Sequence, residues 1–412
     1  MRQSRSSSVR PEPVQDRDIS ETPAYTIPAS PSLKPATEPI FSPVPAHPAG
    51  NIQRSNDPEL QMIKEGERTF GVYRLKAGEA LYSAVVVRFT GRVDAEDVNQ
   101  IARQLVALNN ISDETQIPTG AAIRIPLEVL DETLFTELAT APRQVFRRSY
   151  FKHVILDAGH GGTDPGTIVR GLREDEIAFD LMKRIREGLV KHGIKVHTLV
   201  SAYNGASKTA NGHVSREGKR HQYVKVTPAY NMQDSRIGLN LRIYLIEDIY
   251  SRLLHEGVAP EEVLFLSIHL DHLHPSVSGT MIYVPDAAER IATFKTTGEV
   301  YDKFAESRGQ LISFGAEQYQ SAENASTSFA RTMIASLQRA GMPIHTFQPI
   351  RSYVYRSGGK WTPGIIRYSR VPASILIEAA NLAHRSDWQR IRAVNFRQRW
   401  AGAVVRAVIA SH

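Results

Sequence analysis

The sequence predicts an α/β protein whose large domain, residues 150–412, is a three-layer sandwich with a mostly parallel sheet. A small αβ unit at 68–130 and a disordered tail at 1–56 precede it. Three observations carry this reading. From residue 150 onward, short apolar runs alternate with amphipathic helical stretches, the pattern of a sheet covered by helices. Three of those runs end in a histidine or an acid. The first 56 residues are dominated by proline, serine and alanine without apolar periodicity, so they cannot bury a core.

The tail reads as a flexible, partly extended linker; Ser42-Pro-Val-Pro45 suits a spacer better than a docking motif. In the small unit, Tyr73-Arg-Leu-Lys-Ala-Gly-Glu-Ala-Leu81 reads as strand and turn, and Val93 to Leu108 has helical apolar spacing. Asn109-Asn-Ile111 then leads to a closing strand in Ile117-Pro-Thr-Gly-Ala-Ala-Ile-Arg-Ile-Pro126. In the large domain, strands are expected at Lys152 to Leu156, Lys195 to Val200, Val263 to Ile268, Gly279 to Val284 and Ser374 to Ile377. Helices are expected at Asp175 to Lys191, Ser235 to Leu254, Ser326 to Ala340 and Trp388 to Ile409. Two polar stretches interrupt the alternation, Ser201 to Asp234 and Asp286 to Ser321. Each is long enough to serve as a lid, a partner-binding element or a self-inhibiting cover.

The segment Val154-Ile-Leu-Asp-Ala-Gly-His-Gly-Gly-Thr-Asp-Pro-Gly166 delivers His160 from the end of an apolar strand onto a glycine-rich loop. Phosphate-binding readings of those glycines fail. The dinucleotide fingerprint wants glycine where Asp164 sits, and Gly166 is followed by Thr167 rather than lysine. A second run, Val263-Leu-Phe-Leu-Ser-Ile-His-Leu-Asp271, ends in His269, and Leu172-Arg-Glu-Asp-Glu-Ile177 follows the first loop. Two histidines and a carboxylate suit a catalytic zinc with one position open for water. Either Glu174 or Glu176 could supply that carboxylate; at a helix start only one of them faces the metal. His272 and His274, beside Pro275, read as solvated loop residues rather than ligands. A third run, Val371-Pro-Ala-Ser-Ile-Leu-Ile-Glu-Ala-Ala-Asn381, carries Glu378. Ligands of open α/β sheets collect at the carboxyl ends of the strands, where these groups converge.

These segments, in this order from about Lys152 to about Val408, resemble the zinc-dependent N-acetylmuramoyl-L-alanine amidases, as does Leu239-Asn-Leu-Arg242. The resemblance puts His160, Glu174 and His269 on the ligands of one Zn2+ per catalytic domain and Glu378 on the catalytic glutamate. Glu176 is then a first-turn acid that suits the helix dipole. The implied reaction is hydrolysis of the amide between N-acetylmuramic acid and L-alanine of the peptidoglycan stem peptide. Spacing alone supports only a metal-assisted hydrolase. Ala379-Ala-Asn381 departs from the glycine and aromatic usual in the family, which bears on the groove's shape and not on the glutamate.

The small unit resembles a LysM module through Tyr73, Gly78, Leu81, Asn109 or Asn110, Gly120 and Ile123-Arg-Ile-Pro126. Glu79 and Ala80 stand where aspartate and threonine are usual, and the helical stretch is longer. The resemblance implies binding to the N-acetylglucosamine-containing glycan, which would hold the hydrolase on its polymer. It also implies peptidoglycan as partner, a possible protein activator, and a periplasmic, envelope or extracellular location. Two other functions fit the same residues: a zinc peptidase cutting within the stem peptide, and a catalytically silent wall-binding or regulatory protein.

Composition is consistent with this. A net charge of +7 and a pI near 9.4 suit an anionic polymer, whether cell wall or nucleic acid, and no nucleic-acid-binding motif supports the second. The absence of cysteine excludes thiol catalysis and disulfides. Met1-Arg-Gln-Ser-Arg-Ser6 lacks the apolar run of a secretory signal, so the expectation is a leader or anchor already removed, or another export route. No stretch is apolar enough to span a membrane.

Overall fold

Residues 54–135, 151–202, 222–290, 292–356 and 359–410 are described by a computed structural model. Nearly all of the predicted tail and most of the polar insertion, residues 203–221, lie outside the described residues.

In the small unit, Arg68–Arg74 (β2) pairs antiparallel with Gln61–Glu65 (β1) and with Ala122–Pro126 (β3). Between β2 and β3 run the helical segments Leu81–Val87 and Arg88–Thr90, together α1, and Ala95–Leu108 (α2). Two helical stretches thus lie between β2 and β3, and β1 is added at one edge. Asp94 caps α2 by accepting a hydrogen bond from the Glu96 N–H at 3.0 Å. Val98, Ile101, Ala102 and Leu105 recur at helical spacing and form its buried face. Asn109, not Asn110, ties the end of α2 to β3: its Nδ2 donates to the carbonyls of Leu105 and Arg124, and its Oδ1 accepts from the Arg124 N–H at 2.7 Å.

The large sheet contains His153–Ala158 (β4), Lys195–Thr198 (β5), Val263–Asp271 (β6), Met281–Tyr283 (β7), Ile350–Arg351 (β8) and Ala373–Asn381 (β9), in the spatial order β8-β7-β9-β6-β4-β5. Strands β9, β6, β4 and β5 run parallel; β7 is antiparallel to β9, and β8 is parallel to β7. Every residue of β4 is buried. Successive strand residues point to opposite faces, so the sheet is covered on both sides and forms a middle layer.

The covering helices are Glu174–Lys191 (α3), Ser235–His255 (α4), Ala316–Arg339 (α5), Gly364–Arg367 (α6), Arg385–Arg392 (α7) and Val394–Ala410 (α8). Helix α8 packs against α3, α5 and α7, while α4 packs with α6. Trp400 of α8 is fully buried, and its Nε1 donates to Thr280 Oγ1 at 3.1 Å. Truncating such a side chain costs about 3–5 kcal/mol. An exposed pair such as Lys76–Glu59 is screened by solvent and adds little. Core burial, not surface charge, therefore fixes the layers.

Several expected boundaries shift. β6 extends three residues past Ile268 and β9 runs on to Asn381, so His269 and Glu378 lie within strands rather than beyond their ends. The two strands pair as far as Asp271 and Asn381 across a bulge, which keeps both chains extended. Helix α3 begins at Glu174, one residue early, and α5 begins ten residues before Ser326. The single helix expected from Trp388 to Ile409 is two, broken at Ala393, whose backbone is extended. Within Asp286 to Ser321, Phe294, Ile312 and Phe314 pack with Ile243 and Tyr244 of α4 in a satellite core.

The small unit shares one apolar core with the large domain. Buried Arg351 donates to the Gly91 carbonyl at 2.7 Å, the His274 N–H donates to the Val93 carbonyl at 2.9 Å, and Tyr82 stacks on His274 with ring centroids 5.0 Å apart. His274 thus serves this junction, and His272 is exposed.

One partly buried histidine pair gives the fold a pH dependence. His153 of β4 and His197 of β5 stack, with Nδ1 and Nε2 3.1 Å apart. Burial, reinforced by His153 and Arg252, lowers His197 to about 4, against about 6.5 in an unfolded chain. Between those values the unfolded chain takes up a proton that the folded chain refuses, so stability is full above about pH 6.5 and falls as pH drops toward 4. His197→Gln is expected to flatten denaturant-measured stability across that window; an unchanged slope would count against this role.

Candidate metal centre

Three groups meet at the carboxyl end of β4 and β6. His160 Nε2 lies 3.1 Å and His269 Nδ1 3.0 Å from the same oxygen, Oε1 of Glu174, and one ligand atom from each residue falls within 4.8 Å of the others. Corner atoms of a tetrahedron with metal–ligand arms of about 2.1 Å stand roughly 3.4 Å apart, so the donor set has the dimensions of a zinc site.

Each residue is held by identifiable forces. Glu174 opens α3, where a carboxylate meets the positive end of the helix dipole. Its Oε2 accepts from the Thr167 N–H at 2.9 Å and its Oε1 from the Leu270 N–H at 3.1 Å. Burial opposes its charge, but hydrogen bonds from His160 and His269 outweigh that and hold its carboxyl well below the usual range. Glu176 is directed elsewhere, 3.6 Å from Arg173.

His160 adopts a left-handed backbone, φ +62°, which costs a residue with a Cβ about 1–2 kcal/mol. Arg242 of α4 offsets this by donating from Nη2 to the His160 carbonyl, while its Nε donates to buried Asp157 at 3.1 Å. Ser267 donates to the other Asp157 oxygen at 2.9 Å. Charge-assisted hydrogen bonds of this kind contribute about 1.5–3 kcal/mol each, enough to keep the strained loop in place. His160 Nδ1 donates to Asp164 Oδ2 at 2.9 Å, which orients the ring so that Nε2 faces Glu174. Burial disfavours a charged His160, yet Asp164 and Glu174 raise its pKa to about 10.

The glycines make room for this cluster. A Cβ on Gly159 would lie 2.0 Å from the His269 ring, and one on Gly166 would lie 2.5 Å from Glu174 Oε2 and 2.7 Å from His160.

Glu378 of β9 stands in register with His269 on the neighbouring strand, and the two side chains share a face. Its Oε2 is buried without a hydrogen-bond partner among the described residues. Burial, then the charges of Asp271 and Glu174, push its carboxyl well above the ordinary range. Burial and Glu174 likewise raise Asp271 to about 8. Four acids around two histidines leave an orphaned carboxylate oxygen and two carboxyls pushed toward their neutral forms for want of a counter-charge, a donor chemistry that fits a divalent cation.

All four residues singled out from sequence are therefore brought together. The sequence reading missed Asp164, Asp157, Ser267 and Asp271; Asp164, four residues after His160 in a turn, was the one with a local signal. Asn381 was noted without a role. Its side chain accepts from the Leu273 N–H at 3.0 Å and donates to the carbonyls of Val277 and His274, fixing the loop after β6.

The Amidase_3 family, described as N-acetylmuramoyl-L-alanine amidase, matches residues 154–410. Among curated proteins no sequence matches. Similar solved structures include the N-acetylmuramoyl-L-alanine amidase AmiC2 of Nostoc punctiforme, 19% identical over 63% of this chain and 95% of that one, with a TM-score of 0.37. The enzyme of Clostridium difficile 630 is 18% identical over 64% and 97%, TM-score 0.38. Ami1 of Mycobacterium smegmatis is 16% identical over 63% and 95%, TM-score 0.38. On the family match, which spans the sheet, both histidines and both glutamates of the cluster, the chain belongs to the N-acetylmuramoyl-L-alanine amidases.

Proposed function

We propose that the chain is a zinc-dependent hydrolase of the amide between the lactyl group of N-acetylmuramic acid and L-alanine of the peptidoglycan stem peptide. The observation that carries this is the convergence of His160, Glu174 and His269 within 4.8 Å, with Glu378 in register beside His269. In this reading His160 Nε2, His269 Nδ1 and a Glu174 oxygen hold the metal. Bound there, zinc supplies a Lewis acid that polarises the scissile carbonyl and acidifies a water.

The chain's own groups do the rest. Glu378 takes the proton of the attacking water and delivers it to the leaving L-alanine nitrogen. Glu378 must be ionised to abstract that proton, a state that Asp271 and Glu174 oppose and that a cation held by His160, Glu174 and His269 would favour. Asp164 keeps His160 in the tautomer with Nε2 free to ligate, and Arg242 holds its backbone. The shared apolar core supports a second element of the reading: the small unit binds glycan in a fixed orientation to the site, rather than as a loosely tethered module. The reading places the chain in the cell envelope, remodelling or recycling wall.

Zinc at one hundred times its dissociation constant is expected to raise unfolding free energy by about 2.7 kcal/mol. Glu174→Gln should lose that increment when thermal unfolding is compared with and without zinc. An equal gain in the variant would remove Glu174 from the ligand set.

Glu378→Ala is expected to keep zinc affinity while the hydrolysis rate drops about 10²- to 10⁴-fold. Mass analysis of fragments released from purified peptidoglycan reads both bond and role. Stem peptides beginning at L-alanine, with glycan intact and the variant silent, support the reading; cuts within the peptide would make the chain a wall peptidase.

A further inference from the structure

Between the His160 loop and Glu174 lies a tight hairpin in which Ile168–Val169 pairs with Leu172–Arg173. Its two turn residues, Arg170 and Gly171, both have left-handed backbones, φ +49° and +77°. This is a two-residue turn of the kind that favours Asn, Asp or Gly at its first position. Arginine there is a poor choice for the backbone, which directs attention to what its side chain meets.

The Arg170 guanidinium lies over the ring of Trp388, 5.3 Å from its centroid, and that of Arg392 lies over the same ring at 4.3 Å. The two cations are thus less than 10 Å apart. Neither has a carboxylate within ion-pair distance among the described residues, and both side chains are exposed. Trp388 is itself fixed: its Nε1 donates to the Val169 carbonyl at 3.0 Å, locking α7 to the hairpin. Glu174 lies four positions after Arg170, so their Cα atoms are no more than about 14 Å apart, which keeps Arg170 near the metal centre.

We propose that Arg170 and Arg392, arrayed on Trp388, form an anion subsite that takes a free carboxylate of the stem peptide. The indole preorganises two guanidiniums whose mutual repulsion an anion relieves, and their N–H forks match a carboxylate. The proposal rests on the amidase reading, because the stem peptide is the carboxylate-bearing part of that substrate.

The test compares two soluble N-acetylmuramoyl peptides, one with free peptide carboxylates and one with those groups converted to carboxamides. The zinc-loaded chain is expected to show a KM about fivefold lower for the free acid. In Arg170→Gln/Arg392→Gln that preference should vanish, with the loss falling on KM, while Arg170→Lys/Arg392→Lys keeps part of it. Equal KM values for the two substrates in the unmodified chain, or a preference that survives in the glutamine variant, would overturn the subsite. If neither peptide is cleaved, the amidase reading fails and calorimetric binding of the free-acid peptide decides. Weaker binding by the glutamine variant, with an unchanged melting temperature, upholds the subsite, and equal binding overturns it.

Discussion

The contact of one buried Glu174 oxygen with two histidine nitrogens is the constraint on which the centre depends. A carboxylate at that depth is stable only because α3 begins there, two backbone N–H groups point at it and both imidazoles face it. Each arrangement around it follows. The loop before it contains glycine at 159 and 166 because a Cβ would strike His269 or Glu174. The strained His160 is tolerated because Arg242, anchored on Asp157, holds its carbonyl.

The same cluster is poorly matched to stability without a cation. Glu378 and Asp271 are buried beside Glu174 and are driven toward their neutral forms. A scaffold selected only for packing would fill these positions with apolar residues, since unpaired buried acids are costly. Local conflict with folding rules at the carboxyl ends of β6 and β9 marks where chemistry has taken precedence over packing.

Much of this was legible in the sequence. Apolar runs at 154–158, 263–268 and 374–377 are central strands, and such runs are hard to mistake when both faces are buried. His160, His269 and Glu378 stood out because polar groups at the ends of such runs are exceptional. Glu174 could be separated from Glu176 only through the family resemblance, because a helix start places both on its first turn. Asp157 and Ser267 lie inside apolar runs, and only the pairing of β4 with β6 shows that they face Arg242, 85 residues along the chain from Asp157. β1 and β8 are short edge strands whose existence depends on partners distant in sequence. The junction built on Arg351, His274 and Tyr82 likewise has no local signature, so the small unit read as separate when it shares the large domain's core.

X-ray absorption at the zinc edge of the zinc-loaded chain tests the central claim most directly. A first shell with two imidazole nitrogens and a carboxylate oxygen at about 2.0–2.2 Å is expected, losing one imidazole in His269→Ala and the carboxylate in Glu174→Gln. A shell without imidazole, or one unchanged by both substitutions, would contradict a metal held by His160, Glu174 and His269.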